Sequence, residues 1–300
     1  MSSSGKDSAI EPLIVALRDR RYEINRPWAA EHITQNRVAG WRSDVATDSA
    51  DRLYVFNRFD RYTDPPGLPV VAVYERTGQL TRTLELPEVS DGHGISIGPA
   101  DEIVLVDRDR HVVLILANDG TAKLILGERD KPGRPFSHPT AAKIGPDGDI
   151  FVTDGYGNSH VHRFSSAGKL IRSWGIPGTG PGEFSTPHDL AFTKDGTLVI
   201  CDRENNRIQF FDVDGKFVRE VRDLFHPMAV VVDTEDMVLV SDQIPRLSMF
   251  DLRGRLAGRC RPALYGGHGM CLDSTGNIYL AELRVNRVTR LKRLPQARNI

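Results

Sequence analysis

Cysteine is scarce: the chain has three in 300 residues, Cys201, Cys260 and Cys271, and none sits in a CxxC pair. A disulfide framework is excluded, so the core must be held by burial rather than by covalent staples. Long apolar runs are missing too. Near the N-terminus only Leu13 to Leu17 is apolar before charges resume, too short for a signal segment or a membrane span, and the chain reads as cytoplasmic. Nor is there an excess charge of either sign: 39 Lys plus Arg stand against 40 Asp plus Glu. Nothing in that balance would hold the chain on nucleic acid or anionic lipid. Helical periodicity is confined to Ala9 to Arg21, read as a short helix in an N-terminal tail, residues 1–20. What is present is 40% apolar and 26% charged residues, a globular composition with enough material for a large core.

A repeat organises the rest. From Pro187, PHDLAFTKDGTLVICDRENNRIQFFDVDGKFVREV holds an apolar run, a DG turn, a second run ending in Asp, an N-R-I segment, another DG turn and a fourth run. That is four short strands joined by turns. The pattern recurs from Gly92, Pro139, Pro227 and Gly267, and more loosely from Ser43, making six copies. Six such units predict an all-β, six-bladed β-propeller over residues 21–295, followed by a short tail, 296–300. The last copy ends after its third strand, so the run Tyr22 to Asn25 is expected to supply the missing outer strand and close the ring.

Aligning the copies on the acid that ends the second strand gives Asn57, Asp107, Asp154, Asp202, Asp242 and Glu282. Fourteen residues earlier, at the start of the innermost strand, stand Ser43, His93, Thr140, His188, Met228 and His268. A single histidine there reads as a turn residue. Three on alternating blades, about 120° apart in a six-fold ring, would converge on the axis as a three-histidine metal site. One residue beyond the acid ladder the copies carry Arg58, Arg108, Gly155, Arg203, Gln243 and Leu283. Arginines at that mouth could bind a carboxylate bidentately, or could make structural bonds between blades, the reading preferred for Arg108.

At DGYGNSHVHRFSSAGKLIRSWG, GTGPGEFSTPHDLAF and CDRENNRIQFF the sequence resembles NHL-repeat propellers, and in particular the lyase domain of peptidylglycine α-amidating enzymes. The resemblance spans roughly residues 20 to 295. It implies a zinc ion on His93 in DGHGISI, His188 in TPHDLAF and His268 in GGHGMCL, the three that the repeat alignment selects. It also implies a catalytic tyrosine at Tyr156 and substrate-binding arginines at Arg203 and Arg58. A phenol beside a cationic, metal-bearing mouth is suited to act as a base.

This chain departs from the family pattern in places. The cysteine that follows the family tyrosine is Gly157 here, which suits a reducing compartment. The acid expected after the third histidine is Gly269, which removes the ground for a structural calcium. With neither a monooxygenase partner nor a secretion signal in the sequence, peptide-hormone amidation is not expected. The leading expectation is a soluble metal-dependent lyase acting on a small α-hydroxylated amide or hydroxy acid, with no nucleic-acid or membrane partner. Two alternatives stay open: a metal-dependent hydrolase or lactonase, and a non-enzymatic NHL interaction scaffold.

Overall fold

In the fourth copy the second strand, Leu198–Asp202, is apolar on both faces and all five of its residues are buried. The fourth strand of the same copy, Phe217–Val221, buries only its last residue. Strands sandwiched between neighbours must be apolar throughout, whereas the rim needs to be apolar only where it touches the next sheet. The DG turns work as expected: Asp212 accepts from the backbone N–H groups of Asp214 and Lys216, and Gly215 takes the positive φ of 77°.

The computed structural model describes residues 12–28, 41–58, 71–263 and 265–296. Six antiparallel sheets form a ring. Blade 1 lies within residues 41–84, blade 2 within 92–126, blade 3 within 141–174, blade 4 within 187–221 and blade 5 within 227–260. Blade 6 combines residues 269–293 with the N-terminal segment. The inner strands pack side by side right around the ring, the last against the first. One apolar cluster fills each junction; Tyr54, Phe56 and Leu114, for example, lie between blades 1 and 2. Each such fully buried side chain stabilises the ring by about 1.5–3 kcal/mol.

Ring closure follows the expectation in part. Arg20–Asn25 pairs antiparallel with Arg287–Arg293, placing Tyr22 opposite Arg293 and Ile24 opposite Leu291. The helical reading of Ala9 to Arg21 is corrected where it can be seen. Ile14–Leu17 is a fifth strand, joined to Arg20–Asn25 by a turn with Arg18 at φ 56°; residues 9 to 11 lie outside the described residues. Buried Leu17, Arg20, Tyr22 and Ile24 are matched to a sheet edge that needs a partner, and that tertiary demand overrides local helix preference. Among the described residues the only helical turn is the 3-10 segment Leu283–Val285, and no helix is long and apolar enough to cross a membrane. The expected tail 296–300 is described only at Gln296.

Candidate functional site

The acid ladder builds the mouth. Asp107 accepts from the N–H of Ser90, Asp154 from Ser137, Asp202 from Ser185 and Asp242 from Phe225. Each acceptor thus pins the loop at the residue three positions ahead of His93, Thr140, His188 or Met228, where its own inner strand begins. All six ladder residues are fully buried, so they are structural anchors rather than reactive groups. What they fix is the height at which the inner strands begin.

At that height the three histidines meet. Ring centroids of His93, His188 and His268 lie 4.9 to 5.1 Å apart, and the ligand atoms all fall within 4.8 Å of one another. The intervening positions, which break the histidine pattern, have their own part. His93 Nδ1 donates to the carbonyl of Thr140 at 2.6 Å, His188 Nδ1 to that of Met228 at 2.7 Å and His268 Nδ1 to that of Ser43 at 2.7 Å. A carbonyl can only accept, so every Nδ1 carries the proton and every Nε2 presents a lone pair towards the axis. Burial, their mutual repulsion and nearby arginines hold His93 and His188 well below the usual imidazole range. Burial and the arginines of the mouth push His268 down to about 4. Three neutral, pre-aimed imidazoles are a donor set that could hold a divalent ion with open positions.

Tyr156 stands over this ring. Its hydroxyl is 3.0 Å from His93 Nε2 and 3.2 Å from His188 Nε2, and it accepts from Arg203 Nη1 at 3.1 Å. The guanidinium carbons of Arg203 and Arg108 lie 5.1 and 5.5 Å from its ring centroid. The turn that carries it differs from the alignment by one residue. Paired Asp154 and His160 enclose five residues, whereas paired Asp202 and Arg207 enclose four. Tyr156 and Gly157 donate to His138 and Ser137, the bonds that Arg203 and Glu204 make to Thr186 and Ser185 in blade 4. Tyr156, not Gly155, is therefore the blade 3 counterpart of the mouth arginines.

Arg58 and Arg108 share one carboxylate, Asp91, which Arg58 also reaches with Nη2 at 3.0 Å. Arg108 is bound as well to Asp109 at 3.0 Å, consistent with a structural reading of that residue. Asp91 is a site residue that the repeat alignment did not select; its signal was an acid two positions before His93 in SDGHG. Arg58, Tyr156, Arg203, Met228 and His268 line a cavity of about 340 Å³ at the mouth. Beneath the histidines only about 10 Å³ remains. Below that constriction, Asp189 and Lys143 pair at 3.1 Å in a separate cavity of about 230 Å³. The mouth site thus opens to one face.

With this geometry in view, the comparisons with known proteins agree on architecture. A family model described as a 6-bladed beta-propeller matches residues 144–242. Over 234 residues, 68% of this chain, the sequence is 33% identical to peptidylglycine alpha-amidating monooxygenase of Rattus norvegicus. Over 229 residues, 66% of this chain, it is 35% identical to peptidyl-alpha-hydroxyglycine alpha-amidating lyase 1 of Drosophila melanogaster. The chain is a six-bladed β-propeller related to amidating enzymes. It spans 24% of the rat protein and 41% of the fly protein. A gluconolactonase from Xanthomonas campestris has the same fold, with TM-score 0.70 and 17% identity over 96% of each chain.

Proposed function

We propose that the mouth is the active site of a metal-dependent lyase that splits a small α-hydroxylated amide at its C–N bond. The observation that carries this reading is the Tyr156 hydroxyl, held within 3.0 to 3.2 Å of two histidine Nε2 atoms and of the Arg203 guanidinium. That is a base, two of the three candidate ligands and an anion-binding group in one contact shell. The names of the amidating relatives support lyase chemistry of this kind. A divalent ion held by His93, His188 and His268 would supply Lewis acidity at a substrate oxygen.

The chain's own groups account for the rest. Arg203 and Arg58 line the cavity from blades 4 and 1 and bind the substrate carboxylate through paired N–H donors. Tyr156 takes the proton of the carbon-bound hydroxyl. The O–H electron pair becomes a carbonyl bond, the C–N pair leaves with nitrogen, and nitrogen gains a proton. An amide and an α-oxo acid result, with no water or redox partner consumed. The near-closed axis keeps the substrate at the mouth.

The experiment is turnover of α-hydroxyglycine derivatives by purified full-length protein of measured metal content, read as release of the α-oxo acid. Hydroxy acids and lactones form the comparison panel. Turnover of lactones but of no α-hydroxyglycine derivative would replace the lyase reading with the hydrolase.

A further inference from the structure

The arginines of the mouth are not equivalent. Arg58 and Arg108 share Asp91, Arg108 is also held by Asp109, and Arg203 Nε is held by Glu204 at 2.7 Å. On blades 2 and 4 the residue after the mouth arginine is an acid, Asp109 or Glu204, that grips it. Blade 6 inverts this order. The first position there is apolar, Leu283, and the second is Arg284, an exposed residue with no ion pair among the described residues. Arg284 lines the same cavity as Tyr156, three blades away and so about 180° across the mouth. Its neighbours on that wall, Leu283 and Tyr265, offer apolar surface and no carboxylate.

From this asymmetry we infer that Arg284 binds a second anionic group, at the end of the substrate remote from the reacting carbon, so that the preferred substrate is a dianion whose acyl part carries its own carboxylate. With one carboxylate on Arg203 or Arg58 and the scissile bond beneath Tyr156, an acyl chain extending across the mouth runs along Leu283 and Tyr265 to Arg284. An unpaired guanidinium at a cavity wall gains more from a carboxylate than one already shared with a protein acid.

The chemistry at Tyr156 comes from the proposed function, but the subsite can be tested apart from it. Two non-reacting analogues, N-succinylglycine and N-butyrylglycine, differ only in the distal carboxylate. Calorimetric titration of the full chain should show the succinyl compound binding about tenfold tighter or more, and in Arg284→Gln the two should bind alike. Equal binding to the parent protein, or a preference that survives Arg284→Gln, overturns the subsite. The hydroxylated forms of both compounds then test the chemistry. Preferential binding with no turnover of either leaves the subsite standing and removes the lyase; turnover of both with equal KM does the reverse.

Discussion

The turns that follow the second strands of blades 3 and 4 make the same two backbone bonds to the mouth loops, yet one presents a phenol and the other a guanidinium. The difference is one inserted residue. Gly155 fits against blade 4 because it has no side chain: a Cβ there would stand 2.2 Å from the carbonyl oxygen of Pro187. The extra residue carries Tyr156 onto the position that Arg203 holds one blade on. The inner strands of the same two blades also differ. Blade 4 sends His188 to the axis, and blade 3 sends Thr140, whose carbonyl orients His93. The frame of ladder acid, pinned loop and inner strand is constant, and function enters through the side chains and the turn length it carries.

Removing His188 should have the largest effect. Its Nε2 is one of three donors, and two imidazoles do not hold a catalytic ion tightly. His188→Ala is expected to lose both bound metal and turnover, read by elemental analysis and rate on the same sample; full metal content in the variant would remove the site assignment. Tyr156→Phe separates the two blades. It should lower kcat by about 10² to 10⁴ while metal stays bound. A variant as active as its parent would pass the chemistry to a metal-activated water and put the hydrolase reading first.

The ring and its closing strand were legible because turn residues and the acid ladder recur at fixed spacing, each for a local reason: Asx turns, positive-φ glycines and buried acceptors for loop N–H groups. The convergence of His93, His188 and His268 could be read from register alone, since alternate blades face one axis. What was not legible depended on contacts between segments far apart in the chain. Ala9 to Arg21 looked helical because IVALRDRR takes its strand character from pairing with the closing strand at the open edge of blade 6. Counting from the ladder put Gly155 among the arginines, because an inserted turn residue is invisible until the backbone bonds are seen. Asp91 became a site residue only when Arg58 of the preceding blade was found against it. The Asp189 and Lys143 pair below the histidines faces an axis whose contents no single repeat specifies.

Gly155→Ala tests the turn itself. The added methyl meets backbone, not a movable side-chain tip, so the turn must shift and Tyr156 must move with it. A displacement of about 1 Å at a reacting group can cost about 10²-fold in rate. We expect kcat to fall by that order with metal content unchanged. If kcat equals the parent value, the close approach to Pro187 is not what positions the phenol.

Arg203→Lys makes the smallest change and isolates the blade 4 side of the pair. Lysine keeps the charge but loses the planar fork, and with it the simultaneous bonds to Glu204 and to the Tyr156 hydroxyl. If Arg203 binds the substrate carboxylate, KM should rise about tenfold for a carboxylate substrate and much less for its neutral amide analogue. If its main task is instead to steady Tyr156 through the 3.1 Å bond, kcat should fall for both substrates while KM stays near the parent value. Under that second outcome Arg58, which lines the cavity beside its partner Asp91, becomes the principal carboxylate ligand. Arg58→Lys should then produce the KM effect that Arg203→Lys did not.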